Sequence, residues 1–263
     1  MIEGQQTVTR FSQIATLNQI ARDAGATIMA FYRQDPDVFH KQDKSPVTEA
    51  DIAADKQIVA ALHQLSPEIP VVSEEGSKDR QGSATFWLVD PLDGTKSFIK
   101  HTDEFTVNIG LIEQGKPVLG VVYVPARDTL YYTADAETAC RQAGAGAVEV
   151  VTVRQPPESG LDVVASTSHR TQETNDFIDR LPEMTGKPVH GLVAAASSLK
   201  LCLVAEGAAD VYPRLGPTME WDTAAAHAVL LAAGGRLEQP DGGPFVYGKE
   251  DGLNTHFVAW GEV

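Results

Sequence analysis

An unbroken apolar run, Phe86-Trp87-Leu88-Val89, leads straight into Asp90-Pro91-Leu92-Asp93-Gly94-Thr95. The run predicts a strand buried on both faces, and its end predicts a site, because ligands gather where interior elements meet a cleft. The acids that follow are read as a tight turn, with Pro91 fixing its shape and Gly94 letting the backbone approach a ligand. Burying two carboxylates without compensation is costly. The natural compensation is a cation held by oxygen, to which the Leu92 main-chain carbonyl adds a third donor. All-oxygen ligation points to Mg²⁺, Mn²⁺ or Ca²⁺ and away from zinc.

The rest of the composition fits a soluble globular chain. Its 263 residues suffice for two modest domains or one large one. A formal net charge of −15 disfavours nucleic-acid polymers and anionic membrane surfaces, both of which call for a basic face. It would also repel a phosphorylated metabolite unless cations invert the local field. Two cysteines, Cys140 and Cys202, with no closely spaced Cys/His set, suggest neither a disulfide framework nor a zinc cluster, and Cys202 reads as core. The N-terminus lacks a basic region followed by an apolar one, and no segment is long enough to span a bilayer. The expected setting is the cytoplasm, which leaves room for peripheral contact with the inner membrane.

Along the chain, Ile14, Leu17, Ala21, Ala24, Ile28 and Phe31 recur at helical steps between Thr9 and Arg33. After a polar loop over 34–44, Thr48 is the expected N-cap of a second helix, with Ile52, Val59, Leu62 and Leu65 facing inward. Val71-Val72-Ser73 and the 86–90 run are expected strands. Runs over 105–112, 117–124 and 130–133 then read as antiparallel hairpins. The Pro- and Gly-rich stretch 155–160 is the expected boundary between residues 1–155, an α+β half, and residues 156–263, an α/β half in which strands alternate with helices at 173–180, 197–206 and 222–233.

Several further residues carry weak signals. Glu74, after Val71-Val72-Ser73, adjoins the Asp90 turn if the two strands are neighbours. Asp222 after Trp221 opens an Ala-rich helix, where an N-cap is the ordinary role. Asp51 stands at capping-box spacing from Thr48, and capping leaves room for function. Thr95 begins a helical turn whose N–H groups suit phosphate oxygens. Lys200 and Arg214 are candidate cations for an anionic ligand, although ordinary surface solubility explains them nearly as well. The seven histidines are scattered, and no phosphate-loop or dinucleotide fingerprint is present.

Taken in order, Ser73-Glu74-Glu75, Trp87 to Thr95 and Trp221-Asp222-Thr223-Ala224-Ala225 resemble the lithium-sensitive, magnesium-dependent phosphatases of the inositol monophosphatase superfamily. Within it, Ser45 to Asp51, Asp93 to Lys100, Glu104 to Asn108, Ser197-Ser198-Leu199-Lys200 and Tyr212-Pro213-Arg214 resemble the bacterial 3′(2′),5′-bisphosphate nucleotidases. The resemblance implies a five-layered α/β/α/β/α sandwich. It places Glu74, Asp90, the Leu92 carbonyl, Asp93 and Asp222 at metal-ligand positions, for two or three Mg²⁺ with Mn²⁺ as a substitute. It gives Asp51 and Thr95, with Glu74, the activation of water, and gives Gly94, Thr95, Ser197, Ser198, Lys200, Arg214 and Asp222 the substrate. Ala196 stands where relatives often carry Gly, and the 76–85 loop matches no signature.

The reaction implied is Mg²⁺-dependent hydrolysis of 3′-phosphoadenosine 5′-phosphate to AMP and phosphate. An inositol monophosphatase or broad sugar-phosphate phosphatase would share every metal ligand and differ only in the pocket. A non-catalytic metal-binding regulator is the remaining alternative, against which intact Asp51 and Thr95 argue.

Overall fold

The structure, a computed structural model, describes residues 10–34, 38–40, 46–166 and 170–263. Helix α1 (Ile14–Tyr32) buries Leu17, Ala21, Ala24 and Ile28, the stripe that the periodicity predicts. After a short antiparallel pair, β1 (Val38–His40) with β2 (Pro46–Thr48), comes α2 (Glu49–Leu65). Its inward face is Ala50, Ala54, Ile58 and Leu62, an i, i+4 ladder, whereas Ile52 is 40% exposed. Of the expected inward residues Leu62 is buried and Val59 and Leu65 pack half-buried against the core, but Ile52 is not inward, because the alanines, which carry little hydrophobic signal, are what let α2 lie close to its neighbours.

One sheet has the order β3-β4-β5-β6-β7-β8-β9. It comprises β3 (Val71–Ser73), β4 (Thr85–Asp93), β5 (Thr106–Glu113), β6 (Lys116–Val124), β7 (Thr129–Asp135), β8 (Thr138–Ala143) and β9 (Val148–Val151). Strand β3 runs parallel to β4, and each later neighbour is antiparallel. Strands β8 and β9 escaped the sequence reading because both are short and Thr-Ala-Cys-Arg-Gln-Ala hardly alternates. A short helix, α3 (Thr95–Ile99), follows β4.

The second sheet, of five strands, has the order β11-β10-β12-β14-β13. It comprises β10 (Leu161–Ser166), β11 (Val189–Ala195), β12 (Val211–Arg214), β13 (Arg236–Glu238) and β14 (Phe257–Trp260). Helices α4 (Gln172–Thr185), α5 (Leu199–Ala205) and α6 (Glu220–Ala232) belong to this half of the chain.

Three apolar clusters fill the four interfaces between five layers, one of them spanning two. Side chains of α1 and α2 pack on one face of the seven-stranded sheet around Trp87 and Ile109. The other face, with Phe86 and Val122, packs against α5 and α6 and through them against the five-stranded sheet. The far face of that sheet packs Val163 and Val211 on Phe177 and Leu181 of α4. The observed order is therefore α/β/α/β/α. Its middle layer is thin by design of the sequence. A Cβ at Gly120 would lie 2.0 Å from the Ala225 carbonyl oxygen, and one at Gly110 would lie 2.9 Å from the Ala225 amide nitrogen. Glycines on the sheet and alanines on α6 bring helix and strands into backbone contact, which fixes where the first turn of α6 ends up.

Candidate active site

Asp90 and Asp93 are three positions apart, so in a regular strand they would point to opposite faces. The expected tight turn is instead a bulge inside β4. Asp90 pairs with Asn108 and Asp93 with Thr106 across β5, three steps on one strand against two on the other. The extra residue resets the alternation and turns both carboxylates to one face. The chain leaves the strand at Gly94, whose φ of 92° is left-handed and whose added Cβ would meet the Glu104 carbonyl oxygen at 3.0 Å. Glycine is required there on both counts.

The parallel pairing of Ser73 with Val89 extends one residue to a Glu74 N–H bond donated to the Val89 carbonyl at 3.0 Å, which places Glu74 beside Asp90. Asp222 arrives from the other half of the chain. It is the third residue of α6 rather than its N-cap, and its Oδ2 accepts from the Met219 N–H at 2.8 Å. One cavity of about 610 Å³ is lined by Glu74, Asp90, Leu92, Asp93, Gly94, Thr95, Ser197, Ser198, Lys200, Arg214 and Asp222.

Asp51 is not on that wall. It is buried at the start of α2, where its Oδ2 accepts from the Thr48 N–H and hydroxyl at 2.8 and 2.6 Å, completing the capping box. Its Oδ1 accepts from the Thr95 hydroxyl at 3.2 Å, and that hydroxyl also lies 3.4 Å from the Leu92 carbonyl oxygen. Capping and contact with the site thus use different oxygens of one carboxylate.

Charge in this cavity is poorly compensated. Burial first, then the carboxylates of Glu74, Asp93, Asp222 and Asp51, push the Asp90 pKa well above the ordinary carboxylate range. Asp222 is pushed up to about 8 by burial and by Asp93. Asp93 is pushed up to about 6 by burial, against which Lys200 and the Ser198 N–H, 2.6 Å from Asp93 Oδ2, work. Among the described residues no three acidic, His or Cys side chains stand at the spacing of a closed metal centre. The donor set nonetheless suits a hard divalent cation: Glu74, Asp90, Asp93, Asp222 and Leu92 all line the cavity and all offer oxygen, and a positive charge would favour the ionised carboxylates.

Lys200 and Arg214 correct the surface-solubility reading, since they are only 7% and 9% exposed and both line the cavity. Burial lowers the Lys200 pKa to about 8, with Asp93 opposing the shift. Its ammonium donates to the Ser197 carbonyl and lies 5.5 Å from the Tyr212 ring centre. Ser198 ties the halves together: its hydroxyl donates to Asn108 Oδ1 at 2.6 Å and is 2.9 Å from the Thr106 hydroxyl. Asn108, Tyr212, Met219 and Leu253 were not singled out in the sequence. Asn108 and Tyr212 had a signal, as members of the motifs Glu104 to Asn108 and Tyr212 to Arg214; Met219 and Leu253 had none.

Residues 10–261 match the inositol monophosphatase family. The chain belongs to that family. As a member of the inositol monophosphatase family it is 46% identical over 245 residues to the 3′(2′),5′-bisphosphate nucleotidase CysQ of Salmonella typhimurium, covering 91% of this chain and 96% of that protein. The CysQ of Haemophilus influenzae is 37% identical, over 94% and 93% of the two chains. Among solved structures, CysQ from Bacteroides thetaiotaomicron superposes with a TM-score of 0.82 at 41% identity, over 96% of this chain and 97% of that one. The inositol monophosphatase of Thermotoga maritima shares the fold at 22% identity and a TM-score of 0.72. No helix among the described residues is long and apolar enough to cross a membrane.

Proposed function

We propose that this protein is a 3′(2′),5′-bisphosphate nucleotidase, a phosphoric monoester hydrolase that takes 3′-phosphoadenosine 5′-phosphate to AMP and phosphate and depends on Mg²⁺, with Mn²⁺ as a substitute. The observation that carries the substrate reading is the pair Lys200 and Arg214. These are buried cations on the wall of the same cavity as the acids, suited to a second anionic group held apart from the reacting one. Similarity to CysQ from several bacteria supports the same reading. Residues 1–155 would act as the domain that supplies most acids, and residues 156–263 as the domain that supplies Asp222 and the pocket.

In this reading Glu74, Asp90, Asp93, Asp222 and the Leu92 carbonyl hold the cations. Divalent cations there supply neutralisation of the phosphoryl oxygens and the departing alkoxide, and a lowered pKa for the attacking water. The chain's own groups do the rest. Thr95 Oγ1, hydrogen-bonded to Asp51 Oδ1, orients the water in line with the scissile P–O bond, and Asp51 receives its proton through that hydroxyl. The new P–O bond forms as the bond to the 3′ oxygen breaks, and that oxygen leaves with the bonding pair and takes a proton from solvent to become the 3′-hydroxyl of AMP. Gly94 and Thr95 N–H groups hold the reacting phosphate, while Ser197, Ser198, Lys200 and Arg214 hold the rest of the substrate.

Phosphate release from 3′-phosphoadenosine 5′-phosphate and from inositol 1-phosphate, compared at fixed Mg²⁺, tests the proposal. We expect kcat/KM to favour the bisphosphate by at least about tenfold, the scale of one lost charge-assisted contact. A clear preference for the inositol ester would overturn it.

A further inference from the structure

The first turn of α6 carries a capping box between Met219 and Asp222, a weak one because its N-cap, Met219, has no side-chain oxygen to offer the N–H groups there. The turn is held from outside, by the segment 248–254. Gly248 and Lys249 N–H groups donate to Glu220 Oε1 at 2.8 and 3.0 Å, and the Lys249 ammonium pairs with the same oxygen at 2.7 Å. The Glu220 N–H donates to the Gly252 carbonyl at 2.8 Å. At the end of this strap is Asn254, only 6% exposed. Its Nδ2 donates to the Met219 carbonyl at 2.6 Å and lies 3.1 Å from both the Thr218 and Thr223 hydroxyls, and its N–H donates to the Thr218 carbonyl at 2.9 Å. Met219 in turn donates its N–H to Asp222 Oδ2. Asn254 therefore holds the carbonyls on either side of Met219, the residue whose N–H binds the Asp222 carboxylate.

We propose that Asn254 is a positioning residue that fixes the first turn of α6 and so aims Asp222 into the acidic cavity. A buried asparagine whose side-chain amide lies within 3.1 Å of three acceptors in the segment 218–223 has more than solubility to explain it. The strap spends its polar groups on the residues around Asp222, whereas the apolar body of α6 is already held by Gly110 and Gly120. The inference rests on the reading of Asp222 as a metal ligand.

The test is isothermal titration of Mn²⁺ alone into wild type, Asn254→Ala, Asp222→Asn and the double variant, with folding checked by thermal unfolding. We expect Asn254→Ala to weaken Mn²⁺ binding about tenfold, as loss of the groups that orient a metal ligand does. In the Asp222→Asn background the same change should have less than about a twofold effect, because the groups act in series. Should Asn254→Ala not fold, Asn254→Ser, which keeps a hydroxyl but cannot reach the Met219 carbonyl, is expected to weaken binding in the same direction. Lower stability with unchanged Mn²⁺ affinity, or equal effects in both backgrounds, would overturn the proposal. Undiminished binding by Asp222→Asn alone would instead remove the ligand reading on which it rests.

Discussion

Asp51 uses its two oxygens for two purposes, one to cap α2 and one to face Thr95. Because Thr95 touches the reacting water in the proposed chemistry but is not among the proposed metal ligands, Thr95→Ala is expected to lower kcat by about 100-fold or more while leaving Mg²⁺ affinity within about twofold. Calorimetry showing lost Mg²⁺ binding would contradict that division of labour. The capping box was legible from Thr48 and Asp51 alone. The contact with Thr95 was not, since it joins residues that only the tertiary fold brings together. Burial of Lys200 and Arg214 was equally hidden. Nothing in a lysine's neighbours along the chain says that its ammonium sits on the Ser197 carbonyl and near an aromatic ring inside an acidic cavity. Asn254 gave no sign at all, because its partners 218, 219 and 223 lie on another element.

At the scale of elements, the apolar run 86–89 identified β4, but its continuation was misread. Pro91 and Gly94 suggested a turn, whereas the antiparallel partner β5 keeps Asp93 in the ladder opposite Thr106. A bulge is a property of two strands, and one strand's sequence does not display its register. The contact of α6 with the sheet is likewise a two-sided feature. Gly120→Ala places a methyl group against the Ala225 backbone, where there is no flexible side chain to yield. It is expected to cost about 1–3 kcal/mol or more, read as a lower midpoint in urea unfolding. Because the shift would carry the first turn of α6 with it, Mg²⁺ affinity should fall as well. A variant as stable as wild type would contradict the close approach of helix and sheet.

The whole molecule places its acids between two sheets that come from different halves of the chain, and it carries a net charge of −15. Stability should report on this arrangement. The folded-state pKa values of Asp93 and Asp222 are raised to about 6 and about 8, and that of Asp90 is also raised well above the ordinary carboxylate range by burial and its acidic neighbours. The folded state thus keeps protons that the unfolded chain releases near pH 4, so the stability from these groups is complete below about pH 4 and is lost as pH rises through about 6 to about 8. Mg²⁺ binds the ionised forms, so it should displace protons and raise Tm more at about pH 8 than at about pH 5. An equal rise at both would place the ion away from these acids. Apolar strands and striped helices were legible as elements, and the layered fold was legible through the family resemblance; the convergence of the acids follows from packing and is the claim on which the function turns. Anomalous diffraction from crystals soaked in Mn²⁺ tests it most directly. The expected result is anomalous density among Glu74, Asp90, Asp93, Asp222 and the Leu92 carbonyl. Carboxylates turned away from one another, with no anomalous density between them, would contradict the account.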